Sequence, residues 1–324
     1  MNVGFTYDLR DDYLREGFTE EETAELDAAE TIDAVASALS VPGHTVDRIG
    51  SVRSLTKRLA AGDRWDLVFN YAEGIFGFAR EAQVPALLDA FQIPYTGSDG
   101  LVLALTLHKG ATKHVVRGLG VPTPDFAAAS SEEEAAAVTL PFPLFVKPIA
   151  SGSSMGISEA SYVETREALA ATTRDLLARF HQPVLIETFL PGREITVGIL
   201  GTGPRARVVG VMEVLMTADA EPHGYSYLNK KHERARYRLI DDRAAAEAAD
   251  IALRVWNGLC CRDSGRVDCR CDRDGRPQFM EVNPLAGLHP VHGDLVIMSG
   301  LAGLPYVALI ESIVSSAGKR LLAV

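Results

Sequence analysis

Gly265-Arg266-Val267-Asp268-Cys269-Arg270-Cys271, a turn at Asp272-Arg273-Asp274-Gly275, and Gln278-Phe279-Met280-Glu281-Val282-Asn283 form the stretch on which the reading of this chain depends. Two runs flank a turn that ends in Asp-Gly, a pattern that predicts a β-hairpin. Side chains two apart in a strand share a face. Arg266, Asp268 and Arg270 therefore point one way, and Val267, Cys269 and Cys271 the other. On the second strand Glu281 and Asn283 share a face, opposite Met280 and Val282. The hairpin thus presents carboxylates, an amide oxygen and a guanidinium on one surface. Such oxygens suit a hard cation such as Mg²⁺, which takes one or two carboxylates plus phosphate oxygens and water. The plainer reading is the solvated face of a hairpin.

Two further stretches point toward nucleotide. Leu144-Phe145-Val146-Lys147-Pro148 reads as a strand running into Ser151-Gly152-Ser153-Ser154-Met155-Gly156. Small residues let backbone N–H groups approach a phosphate closely, with Lys147 beside them as a point charge. GxxxxGK[ST] is absent, so this is not a Walker A loop, and a flexible connector is the competing reading. Glu187 ends a strand and Glu194 starts one, with Phe189-Leu190-Pro191-Gly192-Arg193 between them. A hinge of that form fits a base and ribose held by a backbone edge and a carboxylate, or it is an ordinary turn with surface acids.

The opening hundred residues alternate strand and helix patterns. Val3 to Tyr7, Thr45 to Ile49 and Leu67 to Asn70 read as strands, and Glu30 to Leu39 and Glu81 to Phe91 as helices. That order argues for a parallel sheet covered by helices. Leu101 to Leu119 reads as one helix closed by Gly120 and Val121-Pro122-Thr123-Pro124. Val184 to Glu187, Ile195 to Leu200 and Val208 to Leu215 read as strands, and Arg243 to Cys260 as a helix.

The 324 residues carry a formal net charge of -11, with 47% hydrophobic and 23% charged residues. An acidic globular chain repels nucleic acid and anionic membranes, so neither is an expected partner. The N-terminal stretch lacks a basic leader followed by an apolar core, and no run of ~18 apolar residues occurs, so a cytoplasmic protein is expected. Cys260, Cys261, Cys269 and Cys271 match no common zinc spacing, and the last two are expected to face a core.

In order along the chain, Lys109, Lys147 with its serine loop, Glu187 with Glu194, Arg266 with Asp268, and Glu281 with Asn283 resemble the D-alanine–D-alanine ligase family of ATP-grasp enzymes. The matching stretches are Tyr95-Thr96-Gly97-Ser98, Val146-Lys147-Pro148 with Gly152 to Gly156, Leu190-Pro191-Gly192-Arg193-Glu194, Gly265-Arg266-Val267-Asp268 and Glu281-Val282-Asn283-Pro284. Together they span nearly the whole chain. The resemblance implies an α/β, ATP-grasp fold with an N-terminal Rossmann-like pre-ATP-grasp domain. Its units would be an N-terminal substrate domain (1–105), a central ATP-grasp subdomain (106–187) and a C-terminal catalytic subdomain (188–324). It implies an ATP-dependent carboxylate–amine ligase that forms a peptide or amide bond through an acyl phosphate. Lys109 and Lys147 would contact ATP phosphates, and Glu187, Leu190 and Glu194 would hold adenine and ribose. Asp268, Glu281 and Asn283 would hold two Mg²⁺ ions, with Mn²⁺ as a substitute. Arg266 would stabilise the tetrahedral intermediate, and Ser153 would bind acyl phosphate or nucleotide. Lys230, in Tyr227-Leu228-Asn229-Lys230-Lys231-His232, would lie on a mobile loop that closes over the site. The expected partners are small amino-acid-like substrates, with a homodimer left open as an assembly.

The sequence departs from the family on the substrate side. The G-G-x-S-x-E type motif expected after the first strand is absent, and Phe5-Thr6-Tyr7-Asp8-Leu9-Arg10 stands there. Lys231 replaces an expected tyrosine, and the loop after Asn283 diverges around His289 and His292. An ammonium in a desolvated site needs a carboxylate. Ligands of α/β sheets sit beyond the C-terminal ends of strands. Glu73, just past the strand ending at Asn70, is the candidate for the donor amine, with Asp8 second. Ligation of other amino acids is the alternative within the ligases. A degenerate ATP-grasp binding protein is disfavoured because no expected Mg²⁺ ligand is lost. A periplasmic-type two-lobed binder would not need Lys147 or Glu281.

Overall fold

The computed structural model describes residues 1–223 and 226–321, without the side chains of Tyr227 and Lys231. The Lys231 side chain, standing where a tyrosine is expected, therefore lies outside the described residues, as do the last three residues of the expected C-terminal unit. Twelve strands in the described residues form three sheets. The first is parallel, in the order β2-β1-β3, from β1 (Asn2–Tyr7), β2 (Thr45–Gly50) and β3 (Leu67–Tyr71). Val3, Phe5, Leu67 and Phe69 are almost fully buried, because helices cover this sheet and leave its strands apolar. One covering helix, Ala29–Ser40, packs against the C-terminal helix Tyr306–Leu321, so the end of the chain returns to its beginning.

The second sheet is antiparallel, in the order β4-β7-β5-β6, from β4 (Phe126–Ala129), β5 (Leu144–Pro148), β6 (Tyr162–Val163) and β7 (Val184–Thr188). Helix Arg166–Phe180 covers one face of it. The third, also antiparallel, has the order β10-β9-β8-β11-β12, from β8 (Glu194–Leu200), β9 (Arg207–Met216), β10 (Ala235–Leu239), β11 (Ser264–Cys271) and β12 (Pro277–Asn283). Helix Arg243–Gly258 buries Ala245, Ala248, Ile251, Ala252, Val255 and Trp256 against it, the i, i+3, i+4 spacing of a helix facing a sheet. Close packing explains Gly265: a Cβ there would lie 2.5 Å from the Asn283 carbonyl oxygen and 2.6 Å from the Trp256 ring.

The fold is the expected mixed α/β one, with two local differences. The helix expected from Leu101 to Leu119 is broken at His108, whose φ of -86° and ψ of 89° end Gly100–Leu107. The His108 ring accepts a hydrogen bond from the Ala111 N–H, caps the next helix, and so makes Lys109 its first residue. The second difference lies in the hairpin. Asp268 pairs with Glu281 but Cys269 pairs with Phe279, so Met280 is the extra residue of a β-bulge. Strict alternation would put Met280 and Glu281 on opposite faces; the bulge turns both toward one cleft. No single helix among the described residues is long and apolar enough to cross a membrane.

Candidate active site

The second and third sheets face each other across a cleft lined by residues of both. Phe145 and Lys147 reach it from β5, Glu187 from β7, Leu190 from the following turn, and Glu194 from β8. Arg266 and Asp268 come from β11 and Glu281 from β12, while Lys230 enters from the helix Tyr227–Lys231. Eight of the twelve residues singled out in the sequence thus line one space.

Glu187 is wholly buried between two lysines, Lys147 at 2.6 Å and Lys113 at 2.9 Å. Burial pushes its carboxyl up, but the two ammonium groups outweigh that and hold it below the usual range. Lys113 is pushed down to about 8, first by burial and then by Lys147, against the pull of Glu187. The triad carries one surplus positive charge beneath the cleft, which complements a polyanion above it. Both Glu187 oxygens face lysines, so this carboxylate positions Lys147 in the structure. Lys113 escaped the sequence reading. Its signal was the i, i+4 spacing from Lys109 on a face that also buries Val116, a polar residue on an apolar stripe.

Lys109 lies beside this group, donating to the Ser151 carbonyl at 2.6 Å and pairing with Glu281 at 3.2 Å. Burial pushes the Glu281 carboxyl up, and Lys109, Lys147, Arg266 and Lys230 together reverse that and hold it well below the usual carboxylate range. Arg266 makes a short ion pair with Asp268, whose other oxygen accepts from Thr196 at 2.9 Å. Glu194 pairs with Arg270 at 2.8 Å, and the Arg270 guanidinium lies 5.0 Å from the Phe189 ring centre. Asn283 stands opposite Arg266 in the strand register, and its side-chain oxygen accepts from the Leu285 N–H at 3.0 Å.

The serine loop is held from both sides. Ala150 N–H donates to Gln182 at 2.7 Å, Arg80 donates to the Ala150 carbonyl at 3.1 Å, and Gly152 N–H makes a short bond to Glu25. Ser153 and Ser154 both take left-handed backbone angles, a conformation costly for residues with a side chain. Ser154 lines the cleft, whereas Ser153 is exposed and outside its lining. Gly156 has a φ of +71°, and a Cβ there would lie 2.6 Å from Pro148 and 2.8 Å from Phe180. Over the cleft mouth, the His223 ring stacks on Tyr162 at 3.9 Å, joining the segment before Lys230 to the second sheet. Burial pushes the Lys230 ammonium down, Asp294 opposes that, and Arg266 adds to it.

Glu73 lies outside this cleft, beyond the end of β3, in a cluster with Glu25, Glu81 and Arg80. Gly74 packs on Arg80 so tightly that a Cβ would lie 2.8 Å from its carbonyl oxygen, and Arg80 pairs with Glu25 at 2.5 Å. Burial, then Glu81 and Glu25, push the Glu73 carboxyl well up against the pull of Arg80. Burial likewise raises Glu81 to about 7, with Arg80 pulling the other way. Asp8, the second candidate for the amine, is committed to structure: it accepts from Tyr13 at 2.5 Å and from the Gly74 N–H at 2.8 Å. Glu25 was missed because it ends an acidic run that reads as a solvated surface. Only its contact with Gly152, 127 residues away, brings it to the serine loop.

Residues 115–315 match the family model described as the D-ala D-ala ligase C-terminus. The chain is 34% identical over 269 residues to a D-alanine–D-alanine ligase of Bordetella petrii, covering 82% of this chain and 79% of that one. Among solved structures, it superposes on the D-alanine–D-alanine ligase of Bacillus anthracis complexed with ATP with a TM-score of 0.75 at 21% identity, covering 99% and 98% of the two chains. It superposes on the VanG D-Ala:D-Ser ligase of Enterococcus faecalis with a TM-score of 0.74 at 20% identity, covering 98% and 100%.

Proposed function

Because this chain belongs to the D-alanine–D-alanine ligase family, we propose that it uses ATP to activate the carboxylate of one D-alanine and joins it to the amine of a second. The chemistry is that of an ATP-dependent amide-bond-forming ligase. One observation carries the reading: the cations Lys147, Lys230 and Arg266 and the carboxylates Asp268 and Glu281 converge from four elements on one cleft.

Phe145, Phe189, Leu190 and Met280 give the cleft apolar walls for the base, and Glu194 stands where a ribose would be held. Lys147 and Lys109 take the phosphates, the first backed by the buried triad. The hairpin fits Mg²⁺ by its donor set, because Asp268 and Glu281 are direct partners in the register, Glu281 is held ionised by four cations, and Asn283 adds an amide oxygen. Bound there, Mg²⁺ supplies charge neutralisation at the transferred phosphoryl group. The protein's own part is positioning and charge, the main contributions in phosphoryl transfer. Arg266 faces the oxyanion that forms when the amine attacks the acyl phosphate. Lys230 and its segment exclude water that would hydrolyse that intermediate. Glu73, with Glu25 beside the serine loop, receives the donor's ammonium. We place the reaction in the cytoplasm, where ATP is available, with small amino-acid-like molecules as its partners.

The test is incubation with ATP, Mg²⁺ and D- and L-amino acids singly and in pairs, following phosphate release and product mass. The expected result is D-alanine-dependent phosphate release with a dipeptide product. Absence of amino-acid-dependent release for every pair overturns the ligase reading, and release with another amino acid alone overturns the substrate.

A further inference from the structure

Each other carboxylate in the cleft has a partner that accounts for it: Glu187 its two lysines, Glu194 Arg270, Asp268 Arg266 and Thr196, and Glu281 Lys109. Asp294 lines the same cleft, is mostly shielded from solvent, and makes no hydrogen bond among the described residues. Its one ion pair among the described residues is a long approach of 3.7 Å to Nε of Arg266, whose Nη1 is already engaged by Asp268. Arg266 is therefore bracketed by two acids. One sits on the hairpin face that suits a metal, and the other opens the helix Asp294–Leu301. Arg266 from β11 and Lys230 from the segment over the cleft are the cations near Asp294; Asp268 lies across Arg266, and Glu281 lies near Lys230.

We propose that Asp294 receives the acceptor amine, holding the incoming ammonium beside Arg266 and taking the proton that must leave before the nitrogen attacks. This rests on the ligase reading above and adds the residue that prepares the nucleophile. An amine enters this site as R–NH₃⁺ and has no lone pair until one proton is removed. That proton passes to an Asp294 oxygen. The freed pair forms the C–N bond at the acyl carbon while the carbonyl π pair moves onto oxygen, facing Arg266. The oxyanion collapses, the acyl C–O bond breaks, and phosphate leaves with the bonding pair. A second N–H proton goes to phosphate, the amide remains, and Asp294 returns its proton to solvent. A loosely paired carboxylate next to the oxyanion-binding guanidinium suits this role. The tightly paired Asp268 and Glu281 do not.

The bland account is an acid in the first turn of a helix, where carboxylates are favoured by the backbone dipole. A change of nucleophile separates the two. Hydroxylamine is largely unprotonated near neutral pH and needs no base, so it reports acyl phosphate formation alone. Wild-type enzyme and the Asp294→Asn variant are given ATP, Mg²⁺ and D-alanine, with and without hydroxylamine. Dipeptide formation by the variant should fall by about 100-fold or more, the scale of general-base catalysis. Hydroxamate formation should stay at the wild-type rate. Asp294→Glu, which keeps the carboxylate, should recover part of the dipeptide rate. Equal losses with both nucleophiles would show that Asp294 only supports the fold or the donor side, and a wild-type dipeptide rate in Asp294→Asn would overturn the proposal outright. Wild-type enzyme that makes neither product from D-alanine or any other amino acid refutes the ligase reading itself, before any variant is compared.

Discussion

The Lys113–Glu187–Lys147 triad allows two substitutions of similar size to be told apart. Lys147→Met removes the surplus charge and leaves Glu187 balanced by Lys113 at 2.9 Å. A swap of similar volume that leaves a neutral buried pair costs about 1.5 kcal/mol or less. Glu187→Gln instead leaves two ammonium groups, formerly 2.6 and 2.9 Å from the carboxylate, with no anion between them. Breaking a buried ion pair from one side costs roughly 3–5 kcal/mol. At ~2–4 °C per kcal/mol, that lowers the melting temperature by roughly 6–20 °C. The order reverses for nucleotide. Lys147→Met deletes a charge-assisted phosphate contact of about 1.5–3 kcal/mol, weakening ATP roughly 10- to 150-fold. Differential scanning calorimetry with and without ATP and Mg²⁺, together with titration calorimetry, measures both effects. If Glu187→Gln melts with the wild type, or if Lys147→Met keeps full ATP affinity, the triad is not the support of the phosphate site.

Glu281→Gln should abolish ligation in a protein that still folds; full activity at moderate Mg²⁺ would remove the metal site. Glu73→Ala should raise the donor KM or lower kcat with ATP affinity unchanged, and kinetics matching wild type would sink its assignment to the amine. The segment from Lys230 to Arg238 should be cut more slowly by protease once ATP and Mg²⁺ are present, and equal rates would mean that it does not close over the site. Asp27 gives a pH prediction. Burial raises its carboxyl from 3.8 to about 6, against the opposing pull of the neighbouring Tyr71, Thr31 and Arg10. The folded state thus binds more protons than the unfolded one between those values, and stability falls as pH rises through them. Asp27→Asn should melt higher than wild type at pH 7 and together with it near pH 4, and a lower melt at pH 7 would contradict the sign.

Much of the cleft was legible because its residues sit on strands, where alternation assigns a face without any knowledge of the fold. The β11 face of Arg266, Asp268 and Arg270 is of this kind, and the buried Val267, Cys269 and Cys271 lie opposite as expected. What failed depended on local irregularity or on distant contacts. The Met280 bulge shifts one residue without any composition signal, and the break at His108 depends on a ring accepting from Ala111. Ser153 and Ser154 are indistinguishable in sequence, yet the left-handed turn sends only the second to the cleft. Glu25 and Asp294 gain meaning only from partners far along the chain.

Asp263 is fully buried at a left-handed backbone position, and its carboxylate accepts from the Gly97 N–H, the Thr202 and Ser316 hydroxyls and the Arg320 guanidinium. Those donors come from the turn after Tyr95, the turn after β8 and the last helix. One side chain therefore rivets the parallel sheet and the five-stranded sheet into a single frame. The sheet built from β4 to β7 meets that frame through contacts of its own, among them Lys113 with Glu187 and Glu21 with Arg179. The serine loop adds two more, from Gly152 N–H to Glu25 and from Arg80 to the Ala150 carbonyl, so the loop beside the cleft is anchored to the N-terminal part of the chain.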